Sequence, residues 1–203
     1  MSTELEVGSR WSPIAPEEVA ELFEGAAFFW ALAGGYAVER FVGETFRQHA
    51  DIDIVVLRRD QLALQEQLRG WRLFAVDPPG SLRPWLVGEL LPASVHDVWV
   101  HREGRDRWEL QVMIQESEGE SWVFRRDRRI RGAIAGLASS CKGIPCMRMD
   151  LQMLYKSQGR RAKDELDFAR VRPKLTQVQC TTLAAWLSTA NPGGHEWTAR
   201  LAT

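Results

Sequence analysis

Hydrophobic and polar positions along the chain follow two periods, and their order predicts the architecture. Pro16 to Gly25 has helical spacing, with Pro16 near its start, acids in the first turn and Gly25 as a stop, so it predicts a helix that covers a sheet. Phe28 to Ala33 is an apolar run short enough for a buried strand. Gly34-Gly35 follows, and Tyr36 to Val42 returns to helical spacing up to Gly43. From Asp51 the period becomes two, placing Ile52, Ile54 and Val56 on one face of a strand and Asp51 and Asp53 on the other. Arg58 to Leu68 then predicts a helix closed by Gly70, and Trp71 to Val76 a third strand. This β-α-β-α-β order predicts an α/β (α+β) fold, a mixed β-sheet covered by helices.

Prolines in Asp77 to Pro92 oppose regular structure. The 77–94 connection reads either as a wall or lid of a binding pocket, with Arg83 and Trp85 as contacts, or as a surface excursion pinned by Trp85. His96 to His101 and Trp108 to Ile114 predict a hairpin around Gly104, and Trp122-Val123-Phe124 and Ile144 to Met147 two further short strands. From Asp150 the pattern is helical. Asp150 suits an N-cap, and the stripe Leu151, Leu154, Tyr155 ends at Gly159. Thr176 with Gln179 forms a capping box for a last long helix through Trp186 and Leu187, broken at Pro192-Gly193-Gly194 before the short tail His195 to Leu201. The expected organisation is a sheet domain over 1–148 and a C-terminal helical segment over 149–203 packed on it.

The acids change the picture from architecture to chemistry. Two carboxylates on one face repel unless a cation lies between them, and Mg²⁺ prefers carboxylate oxygens; the plain alternative is a solvated edge-strand face. Strand, Gly34-Gly35, helix is a phosphate-binding arrangement, because glycine lets the backbone approach a polyphosphate and the N–H groups at a helix start carry partial positive charge. Arg47 has a planar fork that matches phosphate oxygens, or it is a surface residue. His49 either shapes the turn before the acids or touches substrate.

Composition narrows the class further. The 203 residues suit one domain or one with a small appendage, and 45% hydrophobic residues argue against disorder. A formal net charge of -1 provides no general field for a polyanion, so a nucleic-acid partner is not expected. Cys141, Cys146 and Cys180 lack metal-ligand spacing and read as reduced thiols. Met1 to Arg10 lacks a signal-peptide pattern and no apolar run is long enough for a bilayer, so a cytoplasmic protein without membrane association is expected. The nine tryptophans read as core packing with polar tips at the surface.

The glycine pair followed by the Asp51-x-Asp53 strand, with Arg47 and His49 just ahead, resembles the polymerase-β-type nucleotidyltransferase superfamily, and within it the minimal lincosamide and aminoglycoside 2″-adenylyltransferases. The resemblance implies transfer of a nucleoside monophosphate, AMP from ATP, to a hydroxyl of a small-molecule acceptor such as a lincosamide or aminoglycoside. It implies two Mg²⁺ ions held by Asp51, Asp53 and a third carboxylate. Glu109 is preferred for that role, because it opens a strand and its position resembles the third acid of the lincosamide enzymes; Asp97, on the neighbouring strand, is the alternative. The resemblance also implies a phosphate cradle at Gly34 and Gly35 and a phosphate contact from Lys156 or Lys163, with Asp164 and Asp167 organising a helix start. A site shared across a homodimer is a further expectation. Two other readings stand beside it: a toxin-like nucleotidyltransferase acting on tRNA or a protein, for which only the basic run Arg125 to Arg131 speaks, and a non-catalytic nucleotide-binding module.

Overall fold

The computed structural model describes residues 10–159 and 161–202. The stretch 1–9, which carries most of the polar N-terminal reading, Arg160 and Thr203 lie outside the described residues. Contacts divide the chain into two compact units whose sequences interleave. The first runs to Leu32 and resumes over Gln48–Glu116; the second takes Ala33–Arg47 and everything from Ser117. Ala33–Arg47 thus groups with the residues from Ser117 onward.

In the first unit, helix α1 spans Pro16–Leu22. It starts where expected, since proline fits the first helical turn and Glu18 accepts the Ala15 N–H at 2.9 Å. Strands β1 (Trp30–Ala33), β2 (Asp53–Leu57), β3 (Trp71–Val76), β4 (Leu82–Pro84), β5 (Asp97–Arg102) and β6 (Leu110–Glu118) line up in the order β4-β3-β5-β6-β2-β1. The sheet is mixed: β2 and β6 are parallel, while β3 with β4, β3 with β5 and β5 with β6 are antiparallel. Ile54, Val56, Val98, Val100, Leu110 and Val112 are buried with Val19 of α1 and with Leu64 of α3 (Gln61–Gln67). The predicted helix from Arg58 is shortened because Arg58–Asp60 forms a 3-10 turn first.

The connection after β3 is a pinned excursion. It contributes the edge strand β4, and Arg83 sits between Asp77 and Glu89. The Trp85 indole N–H donates to the Glu89 carbonyl at 2.8 Å. Gln61 and Gln65 of α3 bind the backbone at Leu91, Leu86 and Gly88. A cavity of about 570 Å³ remains under this loop, lined by Leu62, Trp71, Leu73, Trp85 and Leu86 among others. None of the acids singled out above lines it.

Among the described residues, the second unit holds two hairpins and five α-helices. Strands β7 (Ser121–Val123) and β8 (Arg131–Ala133) pair antiparallel, as do β9 (Ala138–Cys141) and β10 (Ile144–Met147). Only β7 and β10 were legible as apolar runs. Helix α2 (Gly34–Val42) ends at Gly43, whose φ of 88° needs glycine. Helices α4 (Met149–Ser157), α5 (Ala162–Val171), α6 (Gln177–Ala190) and α7 (Glu196–Leu201) follow. Thr176 and Gln179 cap α6 reciprocally, as expected. Asp150 is not the cap of α4. It lies inside the first turn, fully buried, with both oxygens on Arg148. The core packs Phe168 flat on Trp197, centroids 4.1 Å apart, and sets Trp122 edge-on to Trp186.

Arg58 ties the first unit's long connection to its sheet. Its guanidinium meets Glu116 at 2.7 Å and donates to the carbonyls of Pro92 and Val95 at 3.2 and 2.7 Å. Removing it strands a half-buried carboxylate and two carbonyls, so Arg58→Ala is expected to lower stability by about 1–3 kcal/mol. Urea denaturation measures that loss, and limited proteolysis should show faster cleavage within 86–95.

Candidate active site

Asp53 is the first residue of β2, and its Cα partner on the parallel strand β6 is Gln111. Gln111 in turn faces Trp99 on the antiparallel strand β5. Side chains directly opposite one another share a face, so Asp53, Gln111 and Trp99 form one row across three strands. Asp97 joins this face two residues before Trp99, and the Gln111 side-chain amide donates to its carboxylate at 3.0 Å. Strand pairing reaches back to Ile52, whose carbonyl accepts from the Gln111 N–H at 2.9 Å, so Asp51 lies at the mouth of the strand. Asp51, Asp53 and Asp97 are all half-buried.

Glu109 is placed differently. Its N–H donates to the Val100 carbonyl, while Leu110 is the register partner of the same Val100. Two residues opposing one form a bulge, which breaks the alternation at this point. The Glu109 carboxylate then accepts from the Arg102 N–H at 2.7 Å and from its guanidinium at 3.2 Å, and Arg102 continues to Glu18 of α1. Arg102 alternates with Val100 and Val98 on the α1-covered face. The structure therefore does not bring Glu109 to Asp53; Asp97 is the acid on that face. Unbroken alternation, assumed from sequence, hid the bulge.

The glycine pair forms the first turn of α2 rather than a loop before it. Gly34 adopts φ 63°, a conformation open to glycine, and its N–H donates at 2.8 Å to the Gln152 side chain of α4. That amide is engaged inside the protein, which the phosphate-cradle expectation for Gly34 did not foresee; Gly35 is the next residue of the same turn.

Arg47 and Lys156 converge on one carboxylate. Asp167 receives a bidentate fork from Arg47 at 2.7 and 2.8 Å and the Lys156 ammonium at 2.8 Å. Lys156 also lies 3.6 Å from Asp164, which Arg161 holds at 2.8 Å. Both aspartates have no exposed side-chain area. Burial alone pushes the Asp167 carboxyl up, but the Arg47 hydrogen bonds and the Lys156 charge outweigh it and hold it below its ordinary value. Asp164 is lowered against burial in the same way by Arg161 and Lys156. The phosphate roles expected of Arg47 and Lys156 meet here a structural network that uses both cations, because bare buried carboxylates are costly. Lys163 is exposed in the first turn of α5, and His49 is half-buried in the segment ahead of β2.

The basic run is also paired. Arg128 and Arg131 meet Glu118, and Arg129 forks onto Asp127 and donates to the Thr189 carbonyl. Sequence reasoning overlooked Gln111, Trp99 and Gln152. The only signal for the first two was strand parity, which needs the register to become a location.

Among the described residues no three His, Cys, Asp or Glu side chains converge as an ion cage. Asp51 and Asp53 nonetheless fit Mg²⁺, which commonly takes one or two carboxylates and fills its shell with water and substrate phosphates. Among the described residues, no helix is long and apolar enough to cross a membrane.

A mixed sheet with acids at the start of its inner parallel strand and a glycine-opened helix directly after β1 matches the nucleotidyltransferase arrangement expected from the sequence. The profile of the aminoglycoside-2″-adenylyltransferase family matches residues 17–171, and the chain belongs to that family. Solved structures share the fold. A lincomycin-bound lincosamide antibiotic adenylyltransferase, LnuA, is 17% identical, covers 81% of this chain and 100% of its own, and superposes with a TM-score of 0.54. ANT(2″)-Ia in complex with adenylyl-2″-tobramycin is 14% identical over 85% of this chain and 95% of its own, TM-score 0.54. The solution structure of ANT(2″)-Ia gives 12% identity, 87% and 91% coverage and a TM-score of 0.54. No curated protein sequence matches significantly.

The Asp167 network makes a pH prediction. Its folded pKa lies below the ordinary 3.8, so its stabilisation is present above that value and is lost as pH falls through the folded pKa. Asp167→Asn leaves Arg47 and Lys156 without a full counter-charge and is expected to cost about 3–5 kcal/mol at neutral pH. Thermal melts from pH 6 to pH 3 should show the wild type losing more stability than the variant.

Proposed function

We propose that the protein transfers AMP from ATP to a hydroxyl of a small glycoside-like antibiotic, with the acid-bearing face of β2, β6 and β5 as its reaction surface. The observation that carries this reading is Asp53 and Asp97 on one face, with Gln111 the strand partner of Asp53 and its amide on Asp97, in a chain of the aminoglycoside-2″-adenylyltransferase family. The fold neighbours bind lincomycin and a tobramycin adduct, which makes such compounds the first acceptors to test.

Asp51 and Asp53 would hold divalent cations, which neutralise polyphosphate charge and lower the pKa of a nearby hydroxyl. Asp97 is the third carboxylate in this reading. Held by Gln111, it accepts the proton of the acceptor hydroxyl while the hydroxyl oxygen attacks the α-phosphorus in line and pyrophosphate departs. Gly35 and the start of α2 are proposed to meet phosphate oxygens through backbone N–H groups. Lys163, exposed on α5, remains the candidate cation for phosphate, whereas Arg47 and Lys156 serve the Asp167 network. Glu109 holds the opening of β6 through Arg102 rather than meeting the reacting groups.

Pyrophosphate release with ATP, Mg²⁺ and lincomycin or tobramycin tests this reading. Asp53→Asn should lose about 10²–10³-fold or more in kcat, as loss of a main charge-stabilising group does. Asp97→Asn should lose about 10²–10⁴-fold, the range for a general base, and Glu109→Gln far less. The reverse order for Asp97 and Glu109 would return the third carboxylate to Glu109. Release should also stop when EDTA removes the metal.

A further inference from the structure

The acid-bearing face continues beyond Asp97 into an aromatic patch that the reaction scheme leaves unused. Trp99 lies between Trp11, centroid 5.0 Å away at 65°, and Trp108, 5.6 Å away at 67°. His101, Phe74 and Trp108 form the next layer, with His101 stacked on Phe74 at 5.8 Å and Trp108 edge-on to both. Trp108 is buried, yet Trp99 and Trp11 remain half-exposed. The outer indole is therefore rigidly wedged by its neighbours while part of its surface faces solvent.

Position makes this more than a surface patch. Trp99 faces Gln111, and Gln111 faces Asp53, so Trp99 stands two strand spacings from Asp53 on the same face, roughly 10 Å between Cα atoms. A molecule that presents a hydroxyl beside Asp53 and Asp97 and lays its adjoining ring along this row meets Trp99. Asp97, two residues before Trp99, adds negative charge at the near edge, and the electron-rich indole face attracts C–H groups and cations. The Asp97 charge disfavours a polyphosphate at this edge, and a polar, ammonium-bearing ring suits both the charge and the indole face.

Resting on the transferase reading above, we infer that Trp99 is the platform on which the acceptor's ring stacks, and that it sets acceptor affinity without serving ATP. Trp11 and Trp108 act through Trp99, by fixing its ring plane. Trp99 is thus a specificity residue for acceptors that carry a ring next to the reacting hydroxyl.

Steady-state kinetics on the wild type, Trp99→Ala and Trp99→Phe, with tobramycin and lincomycin as acceptors and ATP varied separately, test this. Loss of one stacking contact corresponds to a change of roughly tenfold in affinity. Trp99→Ala should raise the acceptor KM by about that factor with the KM for ATP unchanged, and Trp99→Phe should restore most of the loss. The unchanged ATP KM reports that the variant is folded, so a purely structural role would move both constants together. An unchanged acceptor KM in Trp99→Ala, or a rise confined to ATP, overturns the inference while leaving the transferase intact. A wild type that releases no pyrophosphate with either acceptor, although it binds ATP with Mg²⁺, removes the acceptor class and this platform together.

Discussion

The parallel pairing of β2 with β6 is the constraint on which the candidate site depends. Asp53 opposite Gln111 sets the register, and each following pair to Leu57 opposite Gln115 repeats it. A slip of one residue would move Asp53 to the other face of the sheet. Ile54 to Leu57 are buried on both faces and only Asp51 and Asp53, at the strand's opening, keep partial exposure, so a slip would carry a carboxylate into that apolar surround. Gln111 then carries that alignment on to Asp97 and Trp99. The register that sets Asp53 beside Gln111 thereby also sets where Asp97 and Trp99 stand relative to it.

The second unit shows a different use of charge. Arg47, Lys156, Arg161, Asp164 and Asp167 make a network at the start of α5 that joins α4 and the segment after α2. Burying such groups is expensive, and their mutual hydrogen bonds are what offset the desolvation. The cations read from sequence as phosphate ligands are needed here to neutralise aspartates with no exposed area. Gly34 makes the same point on a smaller scale, since its amide meets Gln152 and not an anion. Groups suited to phosphate are also suited to internal partners, and residue type alone does not choose between them.

Much was legible in the chain because it rests on local periodicity. The Asp51-x-Asp53 alternation, β3 and β10 to the residue, the Gly43 stop of α2 and the Thr176–Gln179 cap follow from side-chain direction and backbone freedom within a few positions. So did the mixed α/β character, which the order of periods dictates. The short strands β4, β8 and β9 were not legible, because three or four residues of polar or mixed character form strands only when a neighbour supplies the hydrogen bonds.

What the chain's local pattern singled out was a set of candidates: a pair of carboxylates on one strand face, a glycine-opened helix behind a buried strand, and nearby cations. Tertiary structure alone decided their partners. It chose Asp97 over Glu109 for the acid face, because a bulge opposite Val100 turns Glu109 toward Arg102. It assigned Arg47 and Lys156 to Asp167, and it brought Trp99 into line with Asp53. Strand parity states which side a residue takes, but register and bulges state what it meets there, and those are settled by contacts between segments distant in the chain.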